Sequence, residues 1–356
     1  MKSDLNHVLR QFNIGVDTNP YGSGHINATY LVDCAPQTIL QKINTSIFKD
    51  PSDVMDNIAA VTEHLRKKII AAGGDPMRET LTLVPTVDGK PFYVDPDGNA
   101  YRMYYFIQGA RTYDQAESPE MFAASAHAFG KFQRMLSDFP AHVLHEVIPN
   151  FHNTSDRLRQ FREAVEKDVM GRAASVQPEI EFVLSRADVV SRITDAIADG
   201  SVPLRVTHND TKLNNVMLDD VTHEGVCVID LDTVMPGSML YDFGDSLRFG
   251  ASTGAEDETD LSKIEFDLTY FEAFTKAFIE EVGADMTARE RELLAFSALL
   301  MTLECGMRFL GDYLNGDTYF RIHREHHNLD RCRTQFKLVA DMEKKMDQMN
   351  AIVAKY

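Results

Sequence analysis

The spacing of apolar residues changes character part-way along this chain. Over the first hundred or so residues they come in short runs of strand type. Residues 21–32 read as a glycine-containing turn running into a strand, and residues 38–43 as a second strand. Residues 54–70 interrupt these runs with helical spacing, behind a Pro51-Ser52-Asp53 start signal. Residues 81–86, 91–94 and 101–107 complete a small sheet, separated by Asp88-Gly89 and Asp97-Gly98 turns. After Gln108-Gly109 the period becomes helical. Residues 119–137 place Phe122, Ala126, Phe129, Phe132 and Leu136 on one face, and 151–199, 263–281, 288–314 and 329–353 continue in helical patterns. The expected fold is α+β: a small antiparallel-sheet part over residues 1–109, then a larger, mainly helical part over 110–356, with the connection at 104–109 as a hinge.

Composition narrows the function without choosing it. A length of 356 residues allows one large or two modest domains around a sizeable core. The net charge of −18 argues against nucleic acid or an anionic membrane as the main partner and would favour cationic ligands, but it does not fix the charge of a local pocket. Four scattered cysteines, without a C-x-x-C pair, read as reduced thiols. No apolar signal-peptide core is evident in residues 1–12, and no segment is expected to reach membrane-spanning length, so a cytoplasmic protein is expected. The oligomeric state is left open.

One stretch within the helical part carries chemistry. His208-Asn209-Asp210-Thr211-Lys212-Leu213-Asn214-Asn215 has the H-x-D-x-x-x-x-N spacing of a phosphoryl-transfer catalytic loop. Such a loop needs a carboxylate to orient and deprotonate the attacking hydroxyl, and oxygen ligands to hold Mg²⁺ against a triphosphate. A short apolar run, 216–218, a polar turn, 219–225, and a β-branched run, 226–229, form a hairpin whose open end would bring Asn215 and Asp230 side by side. One carboxylate and one amide oxygen suit Mg²⁺, which keeps water and phosphate oxygens as its other ligands. A His-x-Asp alone is commonly a surface hydrogen-bond pair; a loop motif, a hairpin and a second Asp in order are more specific. Lys212, inside the loop, is placed to reach a γ-phosphate, although a solvated lysine would look the same. Asp232 shares a strand face with Asp230 and is open to several roles: a second ion, ligand orientation or substrate contact. No P-loop is present. His323-x-x-His326-His327 lacks the partner ligands of a zinc site.

His208-x-Asp210 with Asn215, then Ile229-Asp230, Gly237 and Asp242, resembles the aminoglycoside phosphotransferase and choline kinase superfamily. That resemblance runs through the whole chain in lobe order and implies a protein-kinase-like bilobal fold with ATP between the lobes. Longer strings are similar to those of the N-acetylhexosamine 1-kinases. They are Gly24-His25-Ile26-Asn27, Asn44-Thr45-Ser46-Ile47-Phe48, Thr207 through Asn215, Asp230-Leu231-Asp232-Thr233, residues 242–249 and residues 304–310. This resemblance implies phosphorylation of the anomeric hydroxyl of N-acetylglucosamine or N-acetylgalactosamine by ATP and Mg²⁺. It makes Asp210 the base, Asn215 and Asp230 the metal ligands, and His25, Asn44, Thr233 and Arg308 contacts to the sugar; Asp317 and Tyr319 are weaker candidates. Backbone groups of Tyr104 to Gln108, Ile107 among them, are expected to receive adenine, and Gly22 and Gly24 to let backbone N–H groups approach the phosphates.

Two features depart from the usual pattern. Asp242-Phe243-Gly244 spells the kinase D-F-G motif but lies beyond the hairpin, so Asp242 is expected to brace the catalytic loop while Asp230 takes the metal. In protein kinases a strand lysine pairs with a helix glutamate over the phosphates. The matching strand here ends Leu40-Gln41-Lys42, so Gln41 takes the lysine position if the register holds and Lys42 faces away, with Glu63 as an uncertain partner. Glu304 and Arg308 stand four apart on a predicted helix, so a surface ion pair is the alternative for Arg308. The competing functions are a kinase for choline, ethanolamine or an aminoglycoside, and a nucleotide-binding pseudokinase.

Overall fold

The computed structural model describes residues 5–15, 18–21 and 27–356. Its first part is a five-stranded antiparallel sheet in the order β1-β2-β3-β5-β4. The strands are β1 (Thr18–Pro20), β2 (Ala28–Val32), β3 (Thr38–Lys42), β4 (Tyr93–Val94) and β5 (Ala100–Tyr105). Alternation along the strands divides this sheet into two unlike faces. Val32, Leu40, Tyr101 and Met103 form a small cluster with Val8, Leu9 and Phe12, which lie in or just after helix α1 (Asn6–Arg10). The opposite face turns towards α2 (Pro51–Ala71), which starts at Pro51 because the Asp50 side chain accepts the Ser52 N–H.

Residues 81–86 are not the regular strand the pattern predicts. They make one isolated bridge, Leu83 to Tyr104, with the Val84 N–H donating to Met103 and the Tyr105 N–H to Thr82. Pro85 has no N–H with which to extend the ladder. The run at 91–94 shortens to β4.

After β5 the chain passes through residues 106–109 into β6 (Ala110–Arg111). That strand pairs with β8 (Val216–Asp219) of the hairpin formed with β9 (Gly225–Val228). The connection out of the sheet is thus hydrogen-bonded to the hairpin that follows the catalytic loop. A separate ribbon joins β7 (Arg205–Thr207), which leads into the loop, to β10 (Met235–Gly237).

The remaining helices are α3 (Pro76–Glu79), α4 (Pro119–Met135), α5 (Thr154–Lys167), α6 (Gln177–Leu184), α7 (Arg192–Ala198), α8 (Met239–Gly250), α9 (Leu268–Val282), α10 (Ala288–Leu314) and α11 (His327–Lys355). The helix expected at 263–281 begins only at Leu268, where Asp267 accepts the N–H groups of Thr269 and Tyr270. The pattern over 151–199 is broken into three helices; one break follows Asp168, which is left-handed at the end of α5. α10 is the central helix, started by a Thr287–Glu290 capping box. Contrary to expectation, its apolar stretch is long enough to cross a membrane, with a mean hydropathy of 1.6, but 94% of that stretch is buried inside the protein. α8 approaches it so closely that a Cβ on Gly244 would collide with the Ser297 carbonyl. These contacts set α8 beneath the catalytic loop.

Candidate active site

The catalytic loop is held by the helix beneath it. Asp242, in the first turn of α8, accepts the His208 N–H at 2.9 Å, the Asn209 N–H at 2.8 Å and the Gln133 amide at 2.6 Å. Asp245 accepts the Thr211 N–H, and Ser246 donates to the Thr211 carbonyl. These acceptors compensate a strained backbone, since Asn209 has a φ of 66°. The D-F-G string is therefore a brace, as its position beyond the hairpin implied. His208 accepts the Asp210 N–H on Nδ1 and faces the Ile229 carbonyl with Nε2 at 2.8 Å, tying the loop to the strand that delivers Asp230.

Asp210 is presented next to a cation. Lys212 Nζ lies 2.8 Å from one carboxylate oxygen. Burial would raise the Asp210 carboxyl, but the Lys212 charge and hydrogen bond, with His208 and Arg248 behind them, hold it below its ordinary value. Asn215 donates from Nδ2 to the Asp210 carbonyl at 2.7 Å and to its carboxylate at 3.2 Å, while its Oδ1 accepts no hydrogen bond among the described residues. The Ile229 N–H donates to the Asn215 carbonyl, so the hairpin does set Asn215 beside Asp230. Asp230 is also left-handed, at a φ of 59°, and its carboxylate has no hydrogen bond or ion pair among the described residues. Burial, with Asp232 and Asp210 nearby, pushes its carboxyl up to about 7 against the opposing charge of Arg102. An unpartnered carboxylate beside a free amide oxygen fits a hard divalent cation such as Mg²⁺.

The sheet face opposite this pair answers the Gln41 or Lys42 question by register. Lys42 shares the outer face with Leu40, 6.0 Å from the Tyr101 ring. Gln41 lies inward, directly across from Arg102. Its Oε1 accepts from Arg102 Nε at 3.0 Å and Nη2 at 2.8 Å, while its Nε2 donates to Thr29. Arg102 also pairs through Nη1 with Asp232, whose other oxygen accepts from Asn27 at 2.6 Å. Glu63, the possible partner of a strand lysine, instead points to solvent and pairs with Lys67. The Tyr104 hydroxyl is buried without a hydrogen-bond partner among the described residues. The backbone of Ile107 makes no hydrogen bond among the described residues, leaving its N–H and C=O available at the hinge. Gly22, Gly24 and His25 lie outside the described residues.

The remaining sugar candidates are spread around the loop. Thr233 donates its hydroxyl proton to the His208 carbonyl at 2.6 Å, and its own carbonyl accepts from Asn209, so it is built into the loop. Asn44 follows β3; its side chain accepts from Ser46 and its N–H donates to Asn27. Arg308 does not pair with Glu304. Glu304 is buried and engaged by His152 at 2.8 Å and Thr154 at 2.5 Å, while the other His152 nitrogen faces the Asn209 carbonyl at 3.1 Å. Arg308, one helical turn further along α10, has its guanidinium carbon 5.2–5.7 Å from the ring centroids of Phe151, Tyr319 and Phe320. Asp317 is held by Arg172 and Asn328, whereas Tyr319 is exposed beside Arg308. His323, His326 and His327 do not converge: His326 meets Tyr313, and His327 meets Asp257 and the His323 N–H. Beyond the loop, from Leu213, a cavity of about 370 Å³ opens between α8 and α11, lined by Arg248, Glu256, Tyr270 and Gln335.

Residues 17–281 match the model of the phosphotransferase enzyme family. The chain belongs to that family. Solved structures share the fold of this phosphotransferase over nearly its whole length. One is a microcompartment-associated aminopropanol kinase, 18% identical, with a TM-score of 0.67 and 97% of each chain covered. A spectinomycin phosphotransferase in complex with ADP and spectinomycin is 14% identical, with a TM-score of 0.59 and coverage of 97% of this chain and 98% of that one. A choline/ethanolamine kinase family protein from Mesorhizobium loti is 16% identical, with a TM-score of 0.53 and coverage of 96% and 93%.

Three residues of the phosphotransferase site escaped sequence reasoning. Arg102 had a signal: a lone arginine inside an otherwise apolar and aromatic strand, in register with Gln41. The pairings of Asn27, itself within one of the matching strings, and of His152 had none, because their partners Asp232 and Glu304 are 205 and 152 residues away in sequence.

Proposed function

We propose that this phosphotransferase is an ATP-dependent kinase acting on the anomeric hydroxyl of N-acetylhexosamines, N-acetylglucosamine or N-acetylgalactosamine, with Mg²⁺ as its metal. The observation that carries the phosphoryl-transfer reading is the grouping of Asp210, Lys212, Asn215 and an unpartnered Asp230 at one end of a hairpin. Asp210 would take the proton of the attacking hydroxyl as its oxygen bonds to the γ-phosphorus and ADP leaves. The anomeric hydroxyl is more acidic than an ordinary alcohol, and a largely dissociative transition state asks for positioning more than for a strong base. Asn215 and Asp230 would hold Mg²⁺, which neutralises charge on the phosphates. Lys212 is placed for the γ-phosphate, Gln41 for the phosphate side of the cleft, and the backbone near Tyr104 and Ile107 for adenine. Residues 1–109 and 110–356 would act as two lobes around this cleft.

Two things support a sugar acceptor over a cationic one. The first is the run of sequence strings similar to N-acetylhexosamine 1-kinases. The second is the electrostatics around Arg308. Its neighbours are aromatic rings and Arg157, whose own guanidinium is lowered by burial and by the charge of Arg308. The carboxylates one turn to either side of Arg308 on the same helix are both committed: Glu304 to His152 and Thr154, and Asp312 to the N–H groups of Thr318, Tyr319 and Phe320 and the Asn328 amide. Choline, ethanolamine or an aminoglycoside would meet the like charge of Arg308 here, which already occupies the aromatic faces that could bind a cation, whereas a neutral hydroxyl- and amide-bearing ring would use Arg308, Asn44, Thr233 and His25 as hydrogen-bond partners.

The test is a panel of acceptors with ATP and Mg²⁺, with the product located by NMR. Phosphate on C1 of either N-acetylhexosamine is expected. Turnover of choline or an aminoglycoside with neither sugar would overturn the acceptor assignment, and phosphate on C6 would overturn the anomeric one.

A further inference from the structure

The protein lacks the strand lysine and helix glutamate with which protein kinases organise the phosphates. Gln41 stands on the strand, and Glu63 on α2 faces solvent. A positive charge is nevertheless buried at this place. The Arg102 side chain is 1% exposed and that of its partner Asp232 4%. The Arg102 fork is engaged on all sides: Nε and Nη2 donate to Gln41, and Nη1 forms an ion pair with Asp232 and contacts Met55 Sδ at 4.0 Å. The guanidinium also lies 5.3 Å from the Tyr104 ring, and Asn27 on the sheet side closes the other oxygen of Asp232.

Stability alone is a poor explanation for this pair, because desolvation of two buried charges offsets most of their attraction. What the pair does achieve is geometric. Asp232 is two residues beyond Asp230, in the 3₁₀ turn Leu231–Thr233, and Gln41 lies on the inner face of the sheet. One cation therefore fixes both walls of the cleft.

We propose that Arg102 is the positioning cation of the nucleotide site, holding Asp230 through Asp232 and the inner face of β3 through Gln41, in place of a lysine–glutamate pair. This rests on the reading of the site as one for ATP and Mg²⁺. Arg102 is too enclosed to meet phosphates itself, so it acts through the residue that binds the metal. Its loss should fall on the metal-dependent part of nucleotide binding. Groups of this kind behind metal ligands typically change metal affinity by about 10–100-fold when altered.

Calorimetric titration with AMP-PNP, once with Mg²⁺ and once in EDTA, separates the two parts. R102K keeps the charge but loses the fork; it should weaken Mg²⁺·AMP-PNP binding by about tenfold and leave binding in EDTA within about twofold, below the scale of such a contact. The paired variant R102M/D232N leaves no orphan charge, so it should fold with a melting temperature close to that of the native chain and show at least the loss seen in R102K. The KM for the acceptor should stay unchanged in R102K while the KM for Mg²⁺·ATP rises. Unchanged binding in either variant would overturn the inference, as would equal losses with and without Mg²⁺. Failure of the native chain to bind Mg²⁺·AMP-PNP would instead overturn the kinase reading itself.

Discussion

The two walls of the cleft hold their functional groups by opposite means. On the helical side the catalytic loop is gripped at many points. Asp242 takes two backbone N–H groups, Asp245 a third, Ser246 and Thr233 reach carbonyls, and His152, held by Glu304 of α10, faces the Asn209 carbonyl. On the sheet side a single buried arginine links Gln41 and Asp232. Redundant bracing spreads the effect of one substitution over several partners, whereas a single hub concentrates it. Changes on the helical wall should therefore appear first in stability and turnover, and changes on the sheet wall in nucleotide binding.

The largest effect expected on the helical wall comes from the group that no brace replaces. Asp210→Asn keeps the shape of the loop and removes the proton acceptor, so turnover should fall by about 10²–10⁴-fold, with AMP-PNP binding retained. Steady-state rates and calorimetry on the same preparation check this, and unchanged turnover would remove Asp210 from the catalytic role. Next is Asp230, the proposed metal ligand. Asp230 is pushed up to about 7 without metal, from an ordinary 3.8. Protons and Mg²⁺ then compete for it, and Mg²⁺ affinity should fall by about tenfold for each pH unit below 7 and level off above it. The stability of the metal-free protein should change in the opposite sense. A raised carboxyl binds more protons folded than unfolded, so the contribution of Asp230 falls as pH rises from about 4 to about 7. Asp230→Asn should abolish both slopes, measured by titration calorimetry and denaturant unfolding.

Bracing should register as stability. Asp242→Ala leaves the His208 and Asn209 N–H groups and the Gln133 amide without their acceptor, in a site that is 1% exposed at Asp242. With three groups left unsatisfied at about 1–3 kcal/mol each, a loss of about 3 kcal/mol or more in urea unfolding is expected. A loss under 0.5 kcal/mol would mean that the other contacts hold the loop without it.

The same contrast explains what the sequence disclosed. The arrangement of the loop wall was legible because the residues proposed for its chemistry lie in one loop and one hairpin. Asp210, Asn215 and Asp230 are separated by spacings that the backbone itself enforces, and the brace Asp242 follows a few residues on. The fold class was legible from the change of period near Gly109. The sheet wall was not, because its hub depends on register. Whether Gln41 or Lys42 faces inward follows only from which residues of β2 and β5 lie opposite. The pairing of Arg102 with Asp232 crosses 130 positions that no local rule connects. Residues 81–86 show a local failure of the same kind, where a strand-like composition met Pro85 and too few partners.

The smallest effects separate two residues of α2, one that the kinase pattern suggested and one that it did not. Glu63 is exposed and, among the described residues, pairs only with Lys67, one turn along the helix. An ion pair of that kind contributes about 0.3–0.5 kcal/mol at most, so Glu63→Ala should leave both stability and the KM for Mg²⁺·ATP within error. Asn57 is 1% exposed; its amide donates to the His145 and Val234 carbonyls and accepts the His145 N–H. It fastens α2 to the segment that carries Asp230 and Thr233. Asn57→Ala should cost about 1–3 kcal/mol through the groups it strands, a larger loss than that of the glutamate six residues on. If Glu63→Ala instead raised the KM for Mg²⁺·ATP as R102K is expected to, α2 would be supplying the acid of the nucleotide site after all, and the sheet wall would have two hubs rather than one.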